Sequence, residues 1–91
     1  MTAVTLETIP KVGPGFRLQW EPAQDCHVLL YPEGMVKLNG SAGEIMTRCD
    51  GARSVQAIVD DLQKSFNTSG LEGDVIAFVK MAGEQRWLSW P

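Results

Sequence analysis

Cysteine, histidine and basic charge are all scarce in this 91-residue chain, and each scarcity removes a class of function. Cys26 and Cys49 are too few for a disulfide framework. With the single histidine, His27, they give three potential ligands that lack the paired spacing of a metal site, so no metal is expected. Lys and Arg number 8 against 11 Asp and Glu, for a net charge of −3, and the basic residues are scattered. Binding to phosphates needs a basic face that displaces counterions, so no nucleic-acid partner is expected. No apolar run approaches the roughly 18 residues of a membrane span, and no membrane partner is expected either. The stretch from Met1 to Glu7 has neither a basic start nor a continuous apolar segment, which points to a cytoplasmic location.

Catalytic constellations are missing too. No phosphate-binding glycine loop, zinc spacing or serine elbow occurs. Cys26 and His27 are adjacent on a strand-like segment, where successive side chains point to opposite faces. Asp60 and Asp61 are adjacent on a helix, where neighbours diverge by about 100 degrees. Neither pair can converge on a substrate, so the chain is expected to be a binding module, with no catalytic residues and no cofactor of its own.

What remains is an ordinary globular composition, 44% apolar and 21% charged, at a length suited to one domain with a modest core. Residues 1–13 carry no sustained period and are expected to form an arm, leaving residues 14–91 as the domain. Phe16, Leu18 and Trp20 alternate with polar residues and share one face of a strand. Cys26 to Tyr31 forms a second strand, and Pro32-Glu33-Gly34 turns into a third, Met35 to Leu38. Two of the three strands therefore form a tight hairpin.

Beyond Leu38 the period becomes helical. Asn39-Gly40 provides a sharp turn, and Ser41 and Glu44 have the spacing of a capping box. The first helix is expected from about Ala42 to Cys49, closed by the left-handed propensity of Gly51. Ser54 caps a second helix whose Val55, Ile58, Val59, Leu62 and Phe66 form a single apolar stripe. A third helix starts near Asp74 and is expected to reach about Trp87. Its apolar surface has two seams, one through Val75, Phe78, Val79 and Ala82, the other through Ile76, Val79, Lys80, Gly83 and Trp87. Gly83 costs about 1 kcal/mol against alanine in a helix, which implies a close approach, either by the domain's own hairpin or by a ligand. The closing Trp87-Leu88-Ser89-Trp90 either covers the core or marks a contact surface.

The expected class is α+β, a winged helix-turn-helix-like domain with a three-stranded antiparallel sheet followed by three helices. That shape admits DNA binding, but the third helix balances Lys80, Gln85 and Arg86 against Asp74 and Glu84. The same shape also binds a peptide by adding a strand to an open sheet edge, which uses backbone rather than charge.

Pro14-Gly15-Phe16-Arg17, Tyr31-Pro32-Glu33-Gly34, the run from Leu38 to Ile45, Cys49-Asp50-Gly51 and Arg86-Trp87-Leu88 occur in an order that closely resembles the pyrroloquinoline quinone biosynthesis protein D (PqqD) family. The resemblance covers about Pro10 to Leu88. It implies a recognition element that binds the ribosomally made precursor peptide of the quinone and presents it to a radical S-adenosylmethionine enzyme. That partner joins a glutamate to a tyrosine within the peptide. The resemblance also implies Met35, Val36, Lys37 and Leu38 as the ladder for an added peptide strand, with Val75, Phe78, Val79, Ala82 and Arg86 as its wall. A subunit that only scaffolds the enzyme is the remaining alternative. An open sheet edge would equally accept a second copy, so a homodimer is compatible with this reading.

Overall fold

The computed structural model describes residues 3–91. Its elements run β1 (Lys11–Val12), β2 (Arg17–Glu21), β3 (Cys26–Tyr31), β4 (Gly34–Lys37), α1 (Gly40–Thr47), α2 (Val55–Ser65), α3 (Glu72–Glu84) and β5 (Leu88–Ser89). Strands β2, β3 and β4 form an antiparallel sheet in that order, and the three helices follow it, as the periodicity implies. Alternation places Phe16, Leu18 and Trp20 on one face together with the β3 residues opposite them. Phe16 meets Tyr31 at 5.5 Å between ring centroids, and Trp20 meets His27 edge-on at 5.0 Å.

Leu29 and Leu38 from the sheet side join Ile45, Met46, Ile58, Val59, Val75 and Val79 in one core. Helix α1 comes close to the sheet because Gly43 has no side chain. A Cβ there would lie 3.1 Å from His27 Nδ1.

Several boundaries differ from the sequence expectation, each for a local reason. The cap of α1 is Asn39, whose Oδ1 accepts the Ala42 N–H at 2.8 Å and the Ser41 hydroxyl at 3.1 Å. The helix thus begins before Ser41, which leaves Glu44 too far along to reach back. Glu44 instead pairs with Arg48 one turn later, at 2.9 Å. The helix stops at Thr47, where the Arg48 N–H tightens onto Ile45 O, and Cys49 turns into the core beyond it.

Helix α3 ends at Glu84, short of Trp87. Trp87 N–H donates to Ala82 O and Arg86 N–H to Gly83 O, the paired bonds of a Schellman motif, with Arg86 left-handed at φ 66°. Gly83, the acceptor for Arg86, is buried in the folded chain. The chain released by the motif forms β5, which pairs with β1.

Strand β1 lies in the segment expected to be an arm without elements, and that expectation is corrected. Met1 and Thr2 of the arm lie outside the described residues. The rest is bound along the domain: Thr8 O accepts the Val55 N–H at 2.8 Å and Leu6 O the Gln56 N–H at 2.9 Å. These donors are two of the N–H groups that the start of α2 leaves without helical partners, and Ser54 Oγ takes a third, from Ala57. Pro10 is wholly buried. The described part of the arm is held by these bonds to a helix end together with the packing of Leu6 and Val12 on the core.

Candidate peptide-binding site

Strand β4 is an edge of the sheet, and its hydrogen bonds determine what it offers. Leu38 N–H donates to His27 O at 3.0 Å, and β4 pairs with β3 through Val36↔Leu29 and Tyr31↔Gly34. Backbone groups alternate sides along a strand, so Gly34, Val36 and Leu38 face β3 while Met35 and Lys37 turn their N–H and C=O outward. Among the described residues no strand pairs with that edge. The Val36 side chain packs toward the core, and Met35 remains 48% exposed.

Three residues past the end of β4, at Gly40, a cavity of about 690 Å³ opens between the three helices. Ile45 and Leu62 lie at its base, and Leu71, Val75 and Phe78 from the α3 side wall it. Phe66, at the rim, is 54% exposed. The lining is mostly apolar, with Asp74 and Glu44 as its charged groups.

The expected site residues separate into groups. Met35 and Lys37 present backbone, while Val75 and Phe78 line the cavity. Leu38, Val79 and Ala82 are at most 4% exposed and have no surface to give a ligand in this conformation. Arg86 follows α3 and lies instead beside a second cavity of about 660 Å³, with Tyr31, Glu33 and Ser89. Phe66, Leu71 and Ile45 were not anticipated at the site. One signal was present: Phe66 continues the apolar stripe of α2 past its last buried residue, Leu62.

A polar cluster holds the helices around the cavity. Arg48 donates to Glu44 O, to Glu44 Oε1 and to Asp61, and Arg53 also reaches Asp61 at 3.5 Å. Burial opposes the Arg48 charge, but the bonds to Glu44 and Asp61 outweigh it and raise its pKa. The bond from Arg48 in turn lowers the pKa of Asp61. Asp61, expected to be plain surface charge, therefore ties α2 to α1. Asp50 is also lowered, by the backbone N–H groups of Ala52 and Arg53. Burial, helped by Asp50, pushes the Cys49 thiol up to about 12. No group of three or more His, Cys, Asp or Glu among the described residues is placed to hold a metal ion.

Comparison with known proteins places this geometry. The family described as Coenzyme PQQ synthesis protein D (PqqD) matches residues 26–88. The chain belongs to the PqqD family. It is 55% identical to the PqqA binding protein of Azotobacter vinelandii and 51% identical to that of Stutzerimonas stutzeri, in each case over 97% of both chains. It is also 49% identical to the PqqA binding protein of Klebsiella pneumoniae, over 82% of this chain and 83% of the other. The solution structure of the PqqD truncation of Methylobacterium extorquens PqqCD superposes with a TM-score of 0.80 at 26% identity. The match covers 97% of this chain and 96% of that one, which is described as a functional, stand-alone recognition element for ribosomally synthesised, post-translationally modified peptides. The PqqD fold of three strands and three helices is thus shared over 97% of this chain. No helix among the described residues is long and apolar enough to cross a membrane.

Proposed function

We propose that this PqqD-family chain binds the PqqA precursor peptide by adding it as a strand to β4 and presents it to a radical S-adenosylmethionine enzyme for glutamate–tyrosine cross-linking. The observation that carries this reading is the pair of outward-facing backbone groups at Met35 and Lys37, set beside the apolar cavity walled by Phe78. The names of the relatives supply the identity of the peptide. Antiparallel addition, the arrangement of the existing sheet, would run the peptide's N-terminal side past Lys37 toward the cavity. An apolar side chain there would be sheltered by Phe78 and Phe66, while the ladder supplies affinity that is largely independent of sequence.

Charge supports the peptide over DNA. The exposed surface of α3 carries Glu72, Asp74 and Glu84 against Lys80, a poor match for phosphates. Carrier function needs no catalytic group, and the iron–sulfur chemistry belongs to the enzyme. The deciding experiment is titration of fluorescently labelled PqqA peptide into the isolated domain, with the radical enzyme added separately. Saturable binding without the enzyme supports the proposal. Binding of the enzyme with no affinity for free peptide would leave the scaffold role instead.

A further inference from the structure

The cavity between the helices joins an apolar floor to a rim whose charges are all of one sign. Asp74 and Glu44 line it, and no lysine, arginine or histidine does. Asp74 makes no hydrogen bond or ion pair among the described residues, while Glu44 gives Oε1 to Arg48 and leaves Oε2 without a partner. Residues 40–84 carry seven acidic and four basic side chains, and the rest of the chain carries four of each, so the whole net charge of −3 lies in the helical part. Of those four bases, Arg48 and Arg53 are held by Glu44, Asp50 and Asp61, and Lys64 and Lys80 lie outside the lining. Lys37 alternates with the inward-packed Val36, which puts its side chain on the opposite, helix-free face of the sheet.

We infer that the cavity selects a cationic side chain of the peptide, a lysine or arginine, an inference that rests on addition of the peptide to β4. The methylene stem lies against Leu71, Val75 and Phe78, and the charged head meets Asp74 at the rim. At about 690 Å³ the cavity exceeds what one side chain fills, so this residue sits beside the apolar one. An apolar side chain alone covers the floor and leaves Asp74 without a counter-charge, and an acidic one is repelled. A long basic side chain suits both parts, because its stem is apolar and its head stays at the water-facing end.

Strand direction gives the cation a place in the peptide. Gly40, at the mouth of the cavity, lies three residues beyond Lys37. An antiparallel peptide extending at roughly 3.3 Å per residue therefore carries the cation about three residues N-terminal to the one opposite Lys37. Arg48 offsets part of the Glu44 charge, so Asp74 contributes the larger share of the attraction. The α-ammonium group at the start of the peptide has the same charge but no aliphatic stem, and acetylation tells the two sources apart.

Titration of the full chain with labelled PqqA at low and moderate salt tests this. The parent should bind, and more weakly as salt rises. Asp74→Asn should lower affinity by roughly two- to fivefold and flatten the salt dependence, with a smaller effect from Glu44→Gln. Replacing the lysines and arginines of PqqA one at a time by methionine should reveal one position that matters to the parent and not to Asp74→Asn. Placing glutamate at that position should restore binding to Asp74→Lys. Asp74 also stands in the first turn of α3, where a carboxylate complements the helix start, so circular dichroism and thermal melts establish that each variant is folded. Unchanged affinity and salt dependence in folded Asp74→Asn overturns the inference and leaves strand addition standing. Loss of binding on N-acetylation alone overturns the assignment to a side chain, and a parent that binds no PqqA overturns both readings.

Discussion

The Leu38 N–H donates to the His27 carbonyl at 3.0 Å, and this single bond sets which backbone groups of β4 remain for a ligand. Because of it Val36 faces inward to Leu29, and Met35 faces out. A proline at Met35 removes an outward donor and leaves the hairpin bonds intact, as is tolerated on edge strands. The Met35→Pro variant should melt close to the parent yet bind PqqA roughly tenfold more weakly, about the worth of one lost hydrogen bond. Val36→Pro breaks the ladder to β3 and leaves a buried acceptor unpaired, which should destabilise the domain by about 1–3 kcal/mol. Thermal melts alongside peptide titration separate the two. Equal affinity for the parent and a folded Met35→Pro variant counts against the groove.

Phe78 and Phe66 make a second test of the same site. Phe66→Ala removes a side chain that is more than half exposed, so stability should change by less than about 1 kcal/mol. If an apolar residue of the peptide sits in the cavity, affinity should nevertheless fall severalfold, read by the same titration.

Arg48 joins α1 to α2 through Glu44 and Asp61, with only 15% of its side chain exposed. Arg48→Ala should cost about 1–2 kcal/mol in urea denaturation, since it leaves the Glu44 carbonyl and two carboxylates without their donor. The pH dependence follows from the carboxylates. Asp61 and Asp50 have folded pKa values below the ordinary 3.8, so their contribution is complete above that value and is lost as pH falls through the lowered ones. Denaturation midpoints measured from pH 5 downward should fall for the parent, and less steeply for Arg48→Ala.

Cys49 and Cys26 should differ in reactivity. Cys49 is 3% exposed and its thiol is held protonated to about 12, whereas Cys26 is half-buried. A thiol-specific chromophore should label one cysteine in the native protein and the second only on unfolding. Below the ordinary 9.0 the Cys49 thiol is neutral in both states. Above it the unfolded thiol ionises while the folded one keeps its proton, so stability should decline from pH 9 toward 12, and Cys49→Ala should flatten that decline.

The Schellman turn after α3 gives predictions of opposite sign. Arg86 adopts φ 66°, where glycine carries no steric penalty, so Arg86→Gly should stabilise by about 0.5–1 kcal/mol. Arg86 does not line the cavity beside Phe78, so affinity for PqqA should be unchanged. Gly13 admits no side chain: a Cβ there would fall 2.3 Å from Arg86 O. Gly13→Ala should cost at least about 1–3 kcal/mol, because backbone rather than a flexible side chain must yield. Chemical denaturation measures both.

Local sequence signals read well wherever neighbours in the chain were the cause. The stripe from Val55 to Leu62 and the Ser54 cap define α2, and the Pro32-Glu33 turn defines the hairpin. The α1 cap was misread because Asn39 and Ser41 both offer an oxygen, and the choice depends on where the strand releases the backbone. Strands β1 and β5 were illegible, since two-residue pairs carry no period and lie far apart in the chain. Of the candidate site, the position of the third strand was legible and much of the α3 wall was not. Periodicity marks Val79 and Ala82 as apolar without telling a core position from a pocket.

By itself the sequence determined the order of the three-stranded sheet and the three helices, because these rest on residue type and short-range spacing, and its ordered motifs carried the resemblance to the family. Only the tertiary structure decided that Met35 and Lys37 carry the open backbone groups, that Phe66 and Phe78 border one cavity, and that the arm's carbonyls close the start of α2. Those relations depend on pairing parity and packing between distant segments, where the geometry of one element is set by the surface of another.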